Sequence, residues 1–236
     1  MLKNELRKHG NFLFKYRSFI PIIFFLLLPI HALLLHPKKY ITNFDRYWTA
    51  FCFAISSLGL TVRIFTIGYV RPGTSGTNTK SQKAENLNTD GVYSIVRHPL
   101  YLGNYLMWLG VVSLTQSFYI IVIVSLLFFI YYERIMFAEE AFLHEKFGKF
   151  YEEWASKTPA FFPSFKNYKP STLTFSVKKV LKNEYKSFVA FIVSFVVVKY
   201  FVFIIHLHMP NFKADDFFWL SLCAVSIIFI SRSDLP

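Results

Sequence analysis

Arg97 and His98 stand side by side directly ahead of Pro99 in the stretch GVYSIVRHPLYLGNYLMWLG, Gly91 to Gly110. Proline suits the first turn of a helix, where its missing N–H costs nothing. The order therefore puts a guanidinium and an imidazole at a helix N-terminus. Free backbone amides and the helix dipole favour an anion at such a place, so a carboxylate or phosphate site is expected. Tyr101 and Tyr105 share a face one turn apart and are placed to stack on a ligand or hydrogen-bond to it. Gly103 and Gly110 let a ligand or a second helix come close. The plainer alternative is an interfacial arginine beside a solvated histidine.

A second polar group lies in YYERIMFAEEAFLHEKFG, Tyr131 to Gly148. Glu133, Glu140 and His144 follow at spacings of seven and four, which puts them on one helical face, with Glu139 rotated away by one residue. If their helix returns beside the one that begins at Pro99, the carboxylates meet Arg97 and His98. Such a set can hold a zwitterion, the carboxylates taking an ammonium and the Arg–His pair a carboxylate. S-adenosylmethionine (SAM) presents that amino-acid end together with a sulfonium. A solvated acidic face is the alternative. A metal site at Glu133, Glu140 and His144 has no second His/Glu box to complete it, and no metal is expected.

The elements that must position these groups are membrane helices. Of the 236 residues 54% are hydrophobic and 20% aromatic, with 29 phenylalanines gathered into long apolar runs, which is a membrane-protein composition rather than a soluble one. Six spans are expected: Ser18–Leu35, Tyr47–Tyr69, Leu100–Leu114, Phe118–Tyr132, Phe188–His206 and Phe217–Ile230. The third and fourth are short against the roughly 17–25 residues a span needs, and the fourth can run past Tyr132 as a helix into water. No cleavage site follows the first run, so it is read as a retained span. Cys52 and Cys223 both sit in apolar runs and are read as buried thiols, not a disulfide.

Charge sets the orientation. Of the 26 Lys and Arg residues, 20 fall in 1–17, 70–99, 133–187 and 231–236. Only Lys38, Lys39, Arg46 and Lys213 fall in the alternate segments. The positive-inside rule then places both termini and the polar groups in the cytosol. The net charge of +12 fits that bias, or attraction to anionic lipid; no nucleic-acid partner is expected.

Arg63 and Lys199 lie inside spans. Arg63 is near enough to the inner end to snorkel, whereas Lys199 is near mid-span, where charges are functional by default. The chain divides into an N-terminal membrane hairpin at 1–69, a core at 70–165 and a basic linker with a C-terminal hairpin at 166–236. The 70–99 loop reads as a connector or a headgroup clamp, with Arg71, Thr77, Asn78 and Lys80 as donors. VYSIV is expected to lie at the interface, and Phe161, Phe162 and Phe165 to anchor there.

GVYSIVRHPLYLGNYLMWLG, followed after one hairpin by EEAFLHEKFGKFYEEWASKTPAFFP, resembles the isoprenylcysteine carboxyl methyltransferase and phospholipid methyltransferase family of integral membrane enzymes. The resemblance covers roughly residues 85–165. It implies an all-α membrane protein of about six transmembrane helices with a cytosolic helical SAM-binding segment. It puts Arg97, His98, Tyr101 and Gly103 at the cofactor, and Glu139 and Glu140 at its amino group or the reacting centre. Arg97 and Glu140 are the catalytic candidates. The TSGTNTK and YYERIMFAEE wording looks more like bacterial members, which implies an inner-membrane location. Some of these act on a lipid phosphate such as the 1-phosphate of lipid A.

A phosphate acceptor is already ionised and needs cations to position it, for which Arg71, Lys80, Arg97 and Arg134 are available. Carboxyl O-methylation as in the isoprenylcysteine enzymes and phosphatidylethanolamine N-methylation stay open. An amine would need a proton acceptor, with Glu140 as the candidate. An NADPH-dependent sterol-type reductase carries a similar RHP and tyrosine–glycine stretch, but Leu100 and Asn104 depart from its pattern. A non-catalytic lipid-binding protein is the third class. Oligomeric state is left open.

Overall fold

The computed structural model describes residues 1–17, 43–71, 74, 82 and 84–207. Among them are six α-helices: α1 (Leu2–Lys15), α2 (Asn43–Gly68), α3 (Pro99–Ser113), α4 (Phe118–Phe147), α5 (Lys149–Ala155) and α6 (Val177–Leu207), with short 3-10 turns at Gly91–Ser94 and Phe165–Asn167. The chain is all-helical there, apart from one isolated bridge between Thr74 and Ala84.

Among the described residues two helices, α2 over Arg46–Gly68 and α4, are long and apolar enough to cross a membrane. The expected third span is the 15-residue α3, about 22 Å long at 1.5 Å per residue. The fourth runs unbroken from Phe118 to Phe147, as its expected extension into water requires. Gly148, at φ +53°, then turns the chain into α5, a backbone conformation that glycine adopts without Cβ strain. The fifth expected span begins at Val177 rather than Phe188. The spans expected at Ser18–Leu35 and Phe217–Ile230, like Cys223, lie outside the described residues.

Helices α2 and α3 pack along their length because small residues let the backbones touch. A Cβ on Gly59 would lie 2.5 Å from the Gly103 carbonyl oxygen, and one on Gly103 would lie 2.6 Å from Arg63 Cγ. A Cβ on Gly110 would strike Ser56 and the Cys52 carbonyl. Ser56 donates to the Met107 carbonyl at 2.9 Å, and the Trp48 indole to the Ser113 carbonyl at 2.8 Å. Gly103 therefore serves helix contact, the second of the two uses read from the sequence. Leucine in place of Gly110 is expected to force the two helices apart. Overpacking of this kind costs about 1–3 kcal/mol or more, readable as a lowered thermal midpoint in detergent, with Gly110→Ala intermediate.

Helix α6 joins this pair through Phe191, Ile192 and Phe195, which pack with Cys52, Met107 and Val111 in one core cluster. Cys52 is fully buried. At the other end of the molecule α1 lies along the polar extension of α4. Gly10 sits against Arg134 and Ala138. Phe14 is buried beside Tyr131 and Ile135. Tyr131 donates to the Leu13 carbonyl at 3.1 Å, and Arg7 forms a fork with Glu145.

Candidate active site

The site forms where the start of α3 meets the polar extension of α4. Residues 95–98 are held from one side by the chain that follows α5. The Arg97 N–H donates to the Pro159 carbonyl at 2.9 Å, the His98 N–H to Ala160 at 3.1 Å, and the Ser164 N–H to Ile95 at 2.9 Å. Two further amides, those of Tyr101 and Leu102, bond to the His98 carbonyl. This corrects one expectation. The helix start does not offer a row of free amides to an anion, because most of them already have backbone partners. Charge at this site comes from side chains.

Those side chains converge. His98, 7% exposed, presents Nε2 to Glu140 Oε1 at 3.0 Å and Nδ1 to Glu139 Oε2 at 3.5 Å. Arg97 Nε lies 3.0 Å from Glu140 Oε1, Nη2 donates to Glu140 Oε2 at 3.3 Å, and Nη1 donates to the Ala155 carbonyl at 2.8 Å. Tyr101 donates its hydroxyl to Glu139 Oε1 at 2.9 Å, and Arg17 stands 3.9 Å from the same oxygen. The sequence placed Glu133 and His144 with Glu140. Here Glu133 is exposed, and His144 pairs with Glu152 at 2.6 Å. Glu139 takes their place. Tyr105 also turns away, into an aromatic group with Phe128, Phe129 and Phe161.

Burial works against a charged His98 ring. The hydrogen bonds and charges of Glu139 and Glu140 outweigh it and hold the imidazole pKa above its ordinary value. The stabilising contribution of the cation is fully present below the unfolded value of about 6.5. It is lost as pH rises through the raised folded value. His98 is therefore expected to titrate above the ordinary histidine value in an NMR experiment on histidine-labelled protein, with His98→Gln giving the assignment. A resonance at or below the ordinary range would contradict the double carboxylate contact.

A cleft of about 870 Å³ opens from this cluster. It runs along α3 from His98 to Val111, which is about 20 Å at the helical rise, and changes character on the way. At the end nearest this cluster its walls are polar and aromatic, including Tyr151 and Trp154. Deeper, Met107, Trp108, Val111 and Phe191 make them apolar. Between the two lies a buried fork that the sequence did not suggest. Arg63 donates through Nε and Nη2 to both oxygens of Glu184 at 2.7 and 2.8 Å, through Nη1 to Asn104 at 2.6 Å, and through Nη2 to Ser187 at 3.0 Å. Asn104 in turn donates to the Tyr132 hydroxyl at 3.3 Å. Arg63 thus does not snorkel.

Two cations expected at the acceptor do not line the cleft. Arg71 sits beyond it, its backbone N–H on Asn88 at 3.4 Å, and Arg134 lies on α4 beside Gly10. Lys80, Thr77 and Asn78 lie outside the described residues. Val96 and Phe161, expected near the interface, are buried, whereas Phe162 and Phe165 are exposed. Lys199 lies on α6 over the Tyr200 ring, 5.9 Å from its centroid.

Residues 47–150 match the family model for phospholipid methyltransferase. The cobalt-zinc-cadmium resistance protein CzcN of Cupriavidus metallidurans is 38% identical over 103 residues, 43% of this chain and 47% of that protein. The nickel-cobalt-cadmium resistance protein NccN of Alcaligenes xylosoxydans xylosoxydans is 37% identical over 82 residues, 35% of this chain and 38% of that one. The protein-S-isoprenylcysteine O-methyltransferase of Schizosaccharomyces pombe is 35% identical over 85 residues, 36% of each. The chain spans less than half the length of these relatives. No solved structure matches.

Proposed function

We propose that this protein, whose residues 47–150 match the family model for phospholipid methyltransferase, is a SAM-dependent methyltransferase acting on a membrane-embedded acceptor. The observation that carries the reading is the convergence of Arg97 and His98 with Glu139 and Glu140 at the polar end of a cleft whose far end is apolar. The donor set suits an amino-acid end. The two glutamates can take an ammonium, and Arg97 and His98 a carboxylate. Tyr151 and Trp154 offer flat walls to a base, and the cleft lies within the 300–1,000 Å³ usual for small-molecule sites.

When bound, SAM supplies a methyl group on a sulfonium, and an acceptor oxygen takes it in line as the C–S electron pair stays on sulfur. The protein's own work is placement. Holding donor and acceptor in line is worth roughly 7–11 kcal/mol of barrier. Arg97 and His98 position the donor, while the apolar walls of Trp108, Val111 and Phe191 align the acceptor and keep water out. The favoured acceptor is an oxygen that is already ionised, the phosphate of a membrane lipid. Glu140 is engaged by His98 and Arg97, which leaves it poorly suited to strip a proton from an amine and weighs against N-methylation. A carboxylate acceptor makes the same chemical demands as a phosphate.

The test uses membranes from cells expressing the chain, incubated with SAM labelled in its methyl group, and a lipid extract separated by headgroup. Label in one phosphate-bearing lipid, absent with the Glu140→Gln variant, is the expected result. No label in any lipid, together with no SAM binding by the purified protein, would overturn the reading.

A further inference from the structure

We propose that the start of α6 carries the headgroup site for the acceptor. Lys182 and Lys186 would receive the negative group of an anionic amphiphile, and its chain would lie in the apolar part of the cleft between α3 and α6. This rests on the transferase reading above and names the part of the molecule that chooses its acceptor.

Charge and shape together support it. Around the cleft each arginine stands against a glutamate: Arg97 with Glu140, Arg63 with Glu184, and Arg17 with Glu139. Lys182 and Lys186, one turn apart on α6, line the same cleft, and with them its described lining carries Arg17, Arg63, Arg97 and two lysines against Glu139 and Glu140. An anion is favoured there, and an ammonium-bearing headgroup is disfavoured. Both lysines lie just before the apolar stretch of α6 that starts at Phe188, the level at which headgroups meet long cationic side chains. Below them Ala190, Phe191 and Ser194 continue the wall on α6, facing Met107, Trp108 and Val111 on α3. A groove with cations at its mouth and apolar sides fits one amphiphile lying lengthwise.

The Arg63–Glu184 fork fixes this half of the cleft to the other. Glu184 lies between the two lysines in sequence and is 4% exposed. By holding Arg63 on α2 it sets the register of α6 against α3. Lys179 adds a second tie, donating to the Val70 carbonyl at 2.7 Å. The lysine positions fall beyond the family segment, which ends at residue 150.

The test is isothermal titration of purified full-length protein in neutral detergent with dodecyl phosphate, dodecyltrimethylammonium and inorganic phosphate, and separately with SAM. The expected result is binding of dodecyl phosphate alone among the first three. In the Lys182→Glu/Lys186→Glu variant that affinity is expected to fall at least tenfold while SAM affinity stays within twofold. Lys182→Arg/Lys186→Arg is expected to bind as the parent does. Unchanged dodecyl phosphate affinity in the charge-reversed variant overturns the site, as does equal binding of the cationic amphiphile. Inorganic phosphate binding as tightly as dodecyl phosphate would show that the groove is not used, and overturns it too. Loss of SAM binding in the parent protein is a different failure, because it removes the transferase reading itself.

Discussion

His98→Ala is expected to lower SAM affinity about 100-fold with the fold intact. The ring is buried between two carboxylates. Its removal deletes one of the two cations assigned to the ligand carboxylate and weakens the set of groups, Arg97, Arg17 and Tyr101 among them, that balances Glu139 and Glu140. Leaving a buried charged group without its partner costs upwards of about 1–3 kcal/mol, and tenfold in affinity corresponds to about 1.4 kcal/mol. Glu140→Gln keeps the shape but removes the charge that both Arg97 and His98 face, and a comparable fall in methyl transfer is expected. Each variant is to be checked by its thermal midpoint and its elution as a monodisperse peak, so that a ligand defect is separated from unfolding. If both bind SAM and turn over like the parent, the assigned site is wrong.

The second large effect concerns stability. Glu184→Ala is expected to cost about 3–5 kcal/mol, because it strands the Arg63 guanidinium among α2, α3 and α6 without a countercharge. Arg63→Ala does the same to Glu184, whose side chain is 5% exposed. The double change Arg63→Met/Glu184→Leu removes both charges and keeps most of the volume, so it is expected to recover much of the loss. Denaturation followed by tryptophan fluorescence in a fixed detergent would measure the cycle. Additive single losses in the double variant would mean that the two side chains do not act as a pair.

The parts of the site carried by local motifs were legible in the sequence. Arg97, His98 and Pro99 announce a helix start, and the run through Tyr132 to Phe147 announces a helix that outlasts the membrane. Their meeting follows from one short hairpin. The choice among the acidic residues was harder to read. Glu133 shares a helical face with Glu140, but seven residues put it about 10.5 Å away along the axis, out of reach of one imidazole. Glu139 is rotated from Glu140 by one residue, and an imidazole with nitrogens on two edges can take both neighbours at once.

Long-range pairings left no periodic trace. Arg63 and Glu184 are 121 residues apart, and nothing in LTVRIFTIG or KKVLKNEYKSF names the other. The lysines after Val177 hid the start of α6, because hydropathy registers only from Phe188 while the helix has already begun. Helix α1 went unread for a related reason. Its apolar residues are few, and what it covers is the polar end of α4, where no apolar pattern asks for a partner.

The three backbone bonds that join 95–98 to 159–164 set a minimum length for the working unit. The segment that matches the family model stops at residue 150, yet Arg97 and His98 hang from the carbonyls of Pro159 and Ala160, and Ile95 receives the amide of Ser164. A chain cut at the edge of that segment would keep every charged residue of the cluster and lose the strap that aims two of them. Among proteins that share only 47–150, the same letters can therefore stand without the same site. A transfer of function by similarity is sound only where the stretch from Tyr151 to Ser164 has a counterpart to close it.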